Sequence, residues 1–296
     1  QMNTHTFTAM LGDETITIET GKLAQQAGGA VLIRQGDTVL LVTATMAREA
    51  REGASFFPLT VDFEERLYAA GRIPGSFFRR EGKPTESATL TARLTDRAIR
   101  PLFPHDMFND VQVIITSLSQ DDEHRADILS IIGASAALTI SDVPFNGPIG
   151  AVRVGYIDGE IVINPTVSQI EQSALDLRVA GTSEALLMVE AGANEVSEKV
   201  LIEALQQGYM AIQDVVRVQQ EMRSAVGKPK NSYVPYTLPE ELYNIILEKV
   251  GNRLPEVIYG ATSKIDLNKR MRAVREELVS ELGENWEERA IRETLE

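Results

Sequence analysis

The sequence predicts an α/β domain over residues 1–228, followed by a small all-α domain over residues 229–296. Three observations carry this. Short β-rich runs alternate with helical patterns through the first three quarters of the chain. A breaker-rich stretch, Gly227-Lys228-Pro229-Lys230-Asn231-Ser232 with Pro235 and Pro239 behind it, marks a linker. Beyond it only charged helical patterns remain. The hydrophobic fraction of 43% against 24% charged residues suits a globular protein that buries a real core.

Taken in order, the opening is strand-like. Ala30 to Arg34 and Thr38 to Thr45 are β-rich runs around Gln35-Gly36-Asp37, a predicted hairpin. Ser87 to Arg100 is a helix bounded by Pro84 and Pro101. Val111 to Thr116 is the next strand. Ile128 to Ile140 is apolar nearly all round, which predicts a buried helix. Ala151 to Gly155 and Glu160 to Asn164 flank Asp158-Gly159, a tight-turn signal. Asp176 to Ala180 and Ala185 to Glu190 flank Gly181-Thr182-Ser183 in the same way. Glu195 to Arg223 carries apolar residues at a helical period and is predicted as one helix lying on a sheet. In the C-terminal domain, Glu240 to Arg253 and Ile265 to Leu282 are predicted helices.

Composition excludes several chemistries. There is no cysteine, hence no disulfide, thiolate metal site or cysteine nucleophile, and a reducing, cytoplasmic location fits. No apolar run is long enough to span a bilayer, so no membrane role is expected. His5, His105 and His124 lack metal-ligand spacing, and there is no P-loop or nucleophile elbow. The net charge of −14 argues against indiscriminate nucleic-acid binding, yet the charge is uneven. Between Arg66 and Pro104 eight basic residues face three acidic ones, a net +5, which leaves −19 for the remainder. A basic island on an acidic body predicts a focused anion site.

Within that island runs Ser76-Phe77-Phe78-Arg79-Arg80-Glu81-Gly82-Lys83-Pro84. Gly75, Gly82 and Pro84 make it a loop. Rings beside guanidiniums suit single-stranded nucleic acid, because bases stack on the rings while the guanidiniums take the phosphates. In the helix that follows, Arg93, Arg97 and Arg100 fall at i, i+4 and i+7 on one face. Forked donors in that array match phosphate oxygens, and ion pairs with Glu86, Asp96 or other acids are the alternative. The candidate nucleic-acid-binding residues are therefore Phe77, Phe78, Arg79, Arg80, Arg93, Arg97 and Arg100.

Two long runs, VDFEERLYAAGRIPGSFFRREGKPTE and LTARLTDRAIRPLFP, resemble the first catalytic-type core of bacterial polynucleotide phosphorylases. GGAVLIRQGDTVLLVTAT and LRVAGTSEALLMVEAGANEVSE resemble it too, and the similarity covers essentially the whole chain. The resemblance implies an RNase PH-like two-layer arrangement of mixed sheet and helices, then an all-α linker domain. In the family two such cores stand in tandem, KH and OB-type RNA-binding domains follow, and three chains form a ring around a channel. The implied reaction is processive 3′→5′ phosphorolysis of single-stranded RNA in mRNA degradation, and its reversal polymerises RNA. Inorganic phosphate attacks the terminal phosphodiester and releases nucleoside diphosphates, helped by a divalent metal, Mg2+, held by the second core. On this reading the chain is a fragment of a longer protein, and partners in an RNA-degradation complex are expected of the full-length form.

The resemblance also implies that this core has lost its chemistry. The serine-rich turn that binds phosphate in the active copy matches Arg125, Ala126 and Asp127, where hydroxyls are missing and a carboxylate repels phosphate. The metal-holding pair of aspartates and the lysine match Ile170, Asp176 and Arg178, which leaves one carboxylate where a divalent ion needs more. Arg79 and Arg80 match the arginine pair that contacts RNA. The expectation is a core with no catalytic residues that guides RNA and builds the ring. The alternatives are a self-sufficient RNase PH-like core trimming RNA 3′ ends, and a non-enzymatic RNA-binding scaffold.

Overall fold

The computed structural model describes residues 3–51, 54, 56–73 and 83–296. The chain divides into two compact units, Gln1–Val234 and Pro235–Glu296.

The first unit is built on two sheets. Strands β1 (His5–Leu11), β2 (Glu14–Thr20), β3 (Gly29–Gln35), β4 (Thr38–Ala50), β5 (Leu59–Glu64) and β6 (Asn109–Ser119) form a six-stranded sheet in the order β1-β2-β3-β4-β6-β5. Its pairs are antiparallel except β5 with β6, so the sheet is mixed. Strands β7 (Gly150–Ile157), β8 (Glu160–Ile163), β9 (Leu175–Gly181) and β10 (Leu186–Ala193) form a second, antiparallel sheet in the order β10-β9-β7-β8. The β7–β8 turn is made by Asp158 and Gly159 with φ of 50° and 86°, as the two-residue turn signal requires.

Helix α2 (Ala126–Ile140) lies at the centre. Every residue from Ile128 to Ile140 is buried, because the helix packs on β3 and β4 of one sheet and on β7 of the other. Its small residues permit that close approach. A Cβ on Gly133 would sit 2.7 Å from Val42 Cγ2, and one on Gly29 at the start of β3 would sit 2.1 Å from the Ala137 carbonyl oxygen. Helix α1 (Glu86–Ile99) starts at Thr85, whose hydroxyl accepts the Ala88 N–H, and lies against α2 and β5. Leu94, Ala98 and Ile99 are its buried side, while Leu90 is exposed.

The single helix expected over Glu195 to Arg223 is instead two, α4 (Glu198–Ala211) and α5 (Gln213–Val226), interrupted at Ile212. The reason is the surface beneath. Helix α4 covers β7, β8 and β9, whereas α5 turns to pack on α2, β1 and β7. A short helix, α3 (Val167–Ile170), carries a capping box from Thr166 and Gln169.

The linker predicted around 227–232 belongs physically to the first unit, and the division falls after Val234 rather than at 228. Lys230 Nζ donates to the carbonyl oxygens of Leu138, Thr139 and Ser141 at 2.8, 3.2 and 2.7 Å, closing the C-terminus of α2. Burial lowers its pKa to about 8. Tyr233 donates to Asp106 at 2.7 Å.

The second unit holds α6 (Glu240–Val250), α7 (Leu254–Tyr259), α8 (Lys264–Leu282) and α9 (Glu288–Leu295) and no strand among the described residues. The expected Glu240 to Arg253 helix stops at Val250, and α7 and α9 were not foreseen. Leu242, Ile246, Val274, Leu278 and Ile291 form this unit's own core. Among the described residues, no helix is long and apolar enough to cross a membrane.

Candidate nucleic-acid interface

Phe77, Phe78, Arg79 and Arg80 lie outside the described residues. The other predicted residues come together. Arg93, Arg97 and Arg100 line one cleft of about 1670 Å3 between α1 and β5, and Arg125, Asp127 and Arg178 line the same cleft. The helical spacing on α1 and the loop before α2 thus converge on one concave surface.

The three α1 arginines differ in what they touch. Arg100 is committed to the fold. Its Nε and Nη2 make a bidentate pair with Asp96 at 2.9 and 2.6 Å. The same guanidinium donates to the carbonyl oxygens of Phe57 and Leu59, so it ties α1 to the start of β5. Arg97 is paired with Glu190 on β10. Arg93 is exposed and, among the described residues, in no ion pair, so its donors remain open to an incoming anion. Arg125, at the start of α2, is exposed in the same way. The ion-pair alternative therefore describes Arg97 and Arg100, and the open-donor alternative describes Arg93.

Arg97, Asp127, Arg178 and Glu190 of this cleft belong to a charge network that the sequence did not reveal. Arg153 on β7 is 3% exposed and pairs with Asp127 at the first turn of α2. Its Nη1 also reaches Asp176 on β9 at 3.2 Å. Arg178, two residues along β9, donates from Nη2 to Asp176 at 3.1 Å and from Nη1 to Glu190 at 2.5 Å. Its Nε lies 3.4 Å from Asp127 Oδ2. The hydrogen bond from Arg97 holds the Glu190 carboxyl below its usual range, against the opposing effect of burial, and the charge of Arg178 adds to it. Three guanidiniums and three carboxylates neutralise one another.

This arrangement does not suit a divalent cation. Of the three positions matched to a metal site, Ile170 on α3 has no donor atom, Asp176 is engaged by two guanidiniums, and Arg178 is itself a cation. Among the described residues there is no group of three His, Cys, Asp or Glu side chains able to hold a metal. Arg153 and Glu190 are the residues that sequence reading missed. The available signal was Arg153 itself, a charge inside the otherwise apolar run of β7.

His124, which lacks metal-ligand spacing in the sequence, sits between two carboxylates. Its Nδ1 lies 2.8 Å from Asp121 and its Nε2 3.1 Å from Glu14. It joins the β1–β2 turn to the loop before α2. Burial disfavours the imidazolium, but the two carboxylates outweigh it and raise the His124 pKa. Burial would likewise raise Asp121, yet hydrogen bonds from the His124 ring and from the N–H groups of His124, Asp37 and Glu123 hold it down at about 2.

Comparison with known proteins gives three results. Residues 14–144 match the 3′ exoribonuclease family, domain 1, and residues 147–211 match the 3′ exoribonuclease family, domain 2. The polyribonucleotide nucleotidyltransferase of Thermomicrobium roseum is 53% identical over 270 residues, 91% of this chain and 34% of that protein. Its namesake from Heliobacterium modesticaldum is 51% identical over 291 residues, 98% of this chain and 41% of that protein. The chain thus spans between a third and a half of the length of these curated relatives. Among solved structures, rice (Oryza sativa) Rrp46 shares the fold, with a TM-score of 0.57 at 14% identity over 72% of this chain and 95% of that one.

Proposed function

Because the chain belongs to the 3′ exoribonuclease family, we propose that it is the RNA-guiding portion of a phosphorolytic polyribonucleotide nucleotidyltransferase and is not itself a catalyst. One observation carries the reading. The cleft keeps cations that are in no ion pair among the described residues, while Arg97, Asp127, Arg178 and Glu190 on it are spent on a charge network. Arg93 and Arg125 line it exposed and, among the described residues, in no ion pair. Asp127 and Asp176, where phosphate and metal would have to sit, are taken by Arg153 and Arg178.

In this reading single-stranded RNA passes over the Phe77-Phe78-Arg79-Arg80 loop and the rim of the cleft. Its phosphates meet guanidiniums and its bases meet the two rings. Arg97 and Arg100 brace that rim through Glu190 and Asp96. Phosphate attack on the 3′-terminal linkage, with Mg2+, falls to a second core outside this chain. A homotrimeric ring, RNA-degradation partners and a cytoplasmic location belong to the same proposal, as does a division of labour between the first unit and the helical second unit.

The test is RNA binding by the chain with Arg79→Ala and Arg80→Ala together. Affinity for a single-stranded oligoribonucleotide should fall by about tenfold or more, and the slope of log affinity against log salt should flatten by about one to two, since fewer counterions are released. Unchanged affinity and slope would remove the loop from the RNA path.

A further inference from the structure

We infer that His124 is a positioning residue for the cleft: its imidazolium clamps the loop over residues 120–125 between two turns and so holds Arg125 in the path of RNA. The inference rests on the reading of this cleft as an RNA path and names what sets one of its cations.

The loop joins the end of β6 to the start of α2, and Asp121 is its hub. Asp121 Oδ1 accepts the N–H groups of Glu123 and His124 at 2.9 and 2.7 Å. Its Oδ2 accepts the Asp37 N–H from the β3–β4 turn at 2.9 Å and lies 2.8 Å from His124 Nδ1. The Thr38 hydroxyl accepts the Asp121 N–H at 3.1 Å and donates to the His124 carbonyl oxygen at 3.0 Å. On the far side of the ring, Nε2 lies 3.1 Å from Glu14 at the start of β2. Glu14 is held there by the Gln35 side-chain amide, which is 4% exposed as a residue. The ring lies close on the β3–β4 turn. A Cβ on Gly36, where φ is 57°, would meet its Cε1 and Nδ1 at 2.6 Å. Glycine therefore serves this turn twice, through its positive φ and through its missing side chain.

A ring with a carboxylate at each nitrogen needs a proton on both, and only the imidazolium has two. The neutral ring keeps one N–H, so its other nitrogen turns a lone pair towards a carboxylate. Losing the proton thus releases either Glu14 or Asp121. The other charges nearby do not replace it. Glu123 is turned to the Ser168 N–H and hydroxyl on α3. Arg125, Asp127 and Arg153 share a small pocket with His124, and Asp127 and Arg153 are paired with each other. Arg125 follows His124 directly, is exposed, and lines the cleft. A loosened loop would leave that guanidinium to be ordered at the moment of binding, which costs affinity.

The experiment measures affinity of the full chain for a single-stranded oligoribonucleotide without terminal phosphates, at fixed ionic strength. It runs from about pH 6 to about pH 9, the range in which a raised histidine titrates. Affinity should fall as pH climbs through the raised His124 value. Loss of one phosphate contact would make the fall roughly fivefold at about 0.1 M salt and flatten the salt slope by about 0.7. His124→Gln and Arg125→Ala should each abolish the pH dependence. A purely structural histidine would leave it in Arg125→Ala, so persistence there contradicts the inference. So does RNA binding by the wild type that is flat with pH, or a fall that survives in His124→Gln. Nuclear magnetic resonance of the wild type gives a second readout, independent of folding of the variants and of RNA. The Arg125 Nε–H resonance should shift with the midpoint of the His124 ring, and an Arg125 signal indifferent to that midpoint contradicts the inference. RNA that binds at no pH removes the reading of the cleft, while the Arg125 resonance still decides whether His124 positions it.

Discussion

Arg153 is the residue on which the neutralised pocket turns. It is buried, and it engages both Asp127 and Asp176. Arg153→Met would leave Asp127 charged, 14% exposed and held, besides the Ile128 N–H, only by the longer contact to Arg178. Such a broken pair should cost about 3–5 kcal/mol. Arg97→Met breaks a pair whose partners are 51% and 40% exposed and should cost about 1 kcal/mol or less. Urea unfolding of the two variants checks this, and equal losses would contradict it. His124 gives the pH-dependent counterpart. Its folded-state pKa is raised above the ordinary 6.5, so its contribution is complete below that value and is lost as pH climbs through the raised value. Asp121, lowered from 3.8 to about 2, contributes fully above 3.8 and loses its contribution as pH falls towards 2. Stability should therefore decline as pH rises above 6.5, and His124→Ala should flatten that decline. Identical pH profiles for the two proteins would refute the assignment.

At the scale of elements, α2 organises the first unit because it meets strands from both sheets. The contact of β3 with α2 depends on having no side chain at Gly29, where a Cβ would meet the Ala137 carbonyl at 2.1 Å and Ser141 Cβ at 2.8 Å. Backbone cannot yield there as a flexible side chain can. Gly29→Ala should thus destabilise by about 1–3 kcal/mol or more, whereas Gly192→Ala, with nothing within 4 Å, should be close to neutral. Denaturant midpoints distinguish the two. Legibility in the sequence follows the same division between local and tertiary causes. The Asp158-Gly159 turn, the all-round apolar α2 and the proline-bounded α1 are set by neighbours in sequence and were readable. The break at Ile212 was not, because neither proline nor glycine marks it and its cause is the change from one supporting surface to another. The pairing of Arg153 with Asp127 joins residues 26 apart through β7 and α2, and no local pattern encodes it. The basic face of α1 was visible as a face, but which of its arginines are spent on Glu190 and Asp96 became visible only in three dimensions.

For the whole molecule, an acidic chain of net charge −14 carries one stretch with a basic excess, and Arg66, Lys83, Arg93, Arg97 and Arg100 of that stretch line the cleft. On the function proposed above, this cleft receives RNA without cleaving it. The most direct measurement incubates this chain with a single-stranded oligoribonucleotide, inorganic phosphate and Mg2+, and records both RNA retention and nucleoside diphosphate release. Retained RNA and no nucleoside diphosphate are the expected result. Sustained release that depends on phosphate would contradict it. In that event the Asp127–Arg153–Asp176–Arg178 network would have to open during turnover, and this core would have to be counted as a catalyst.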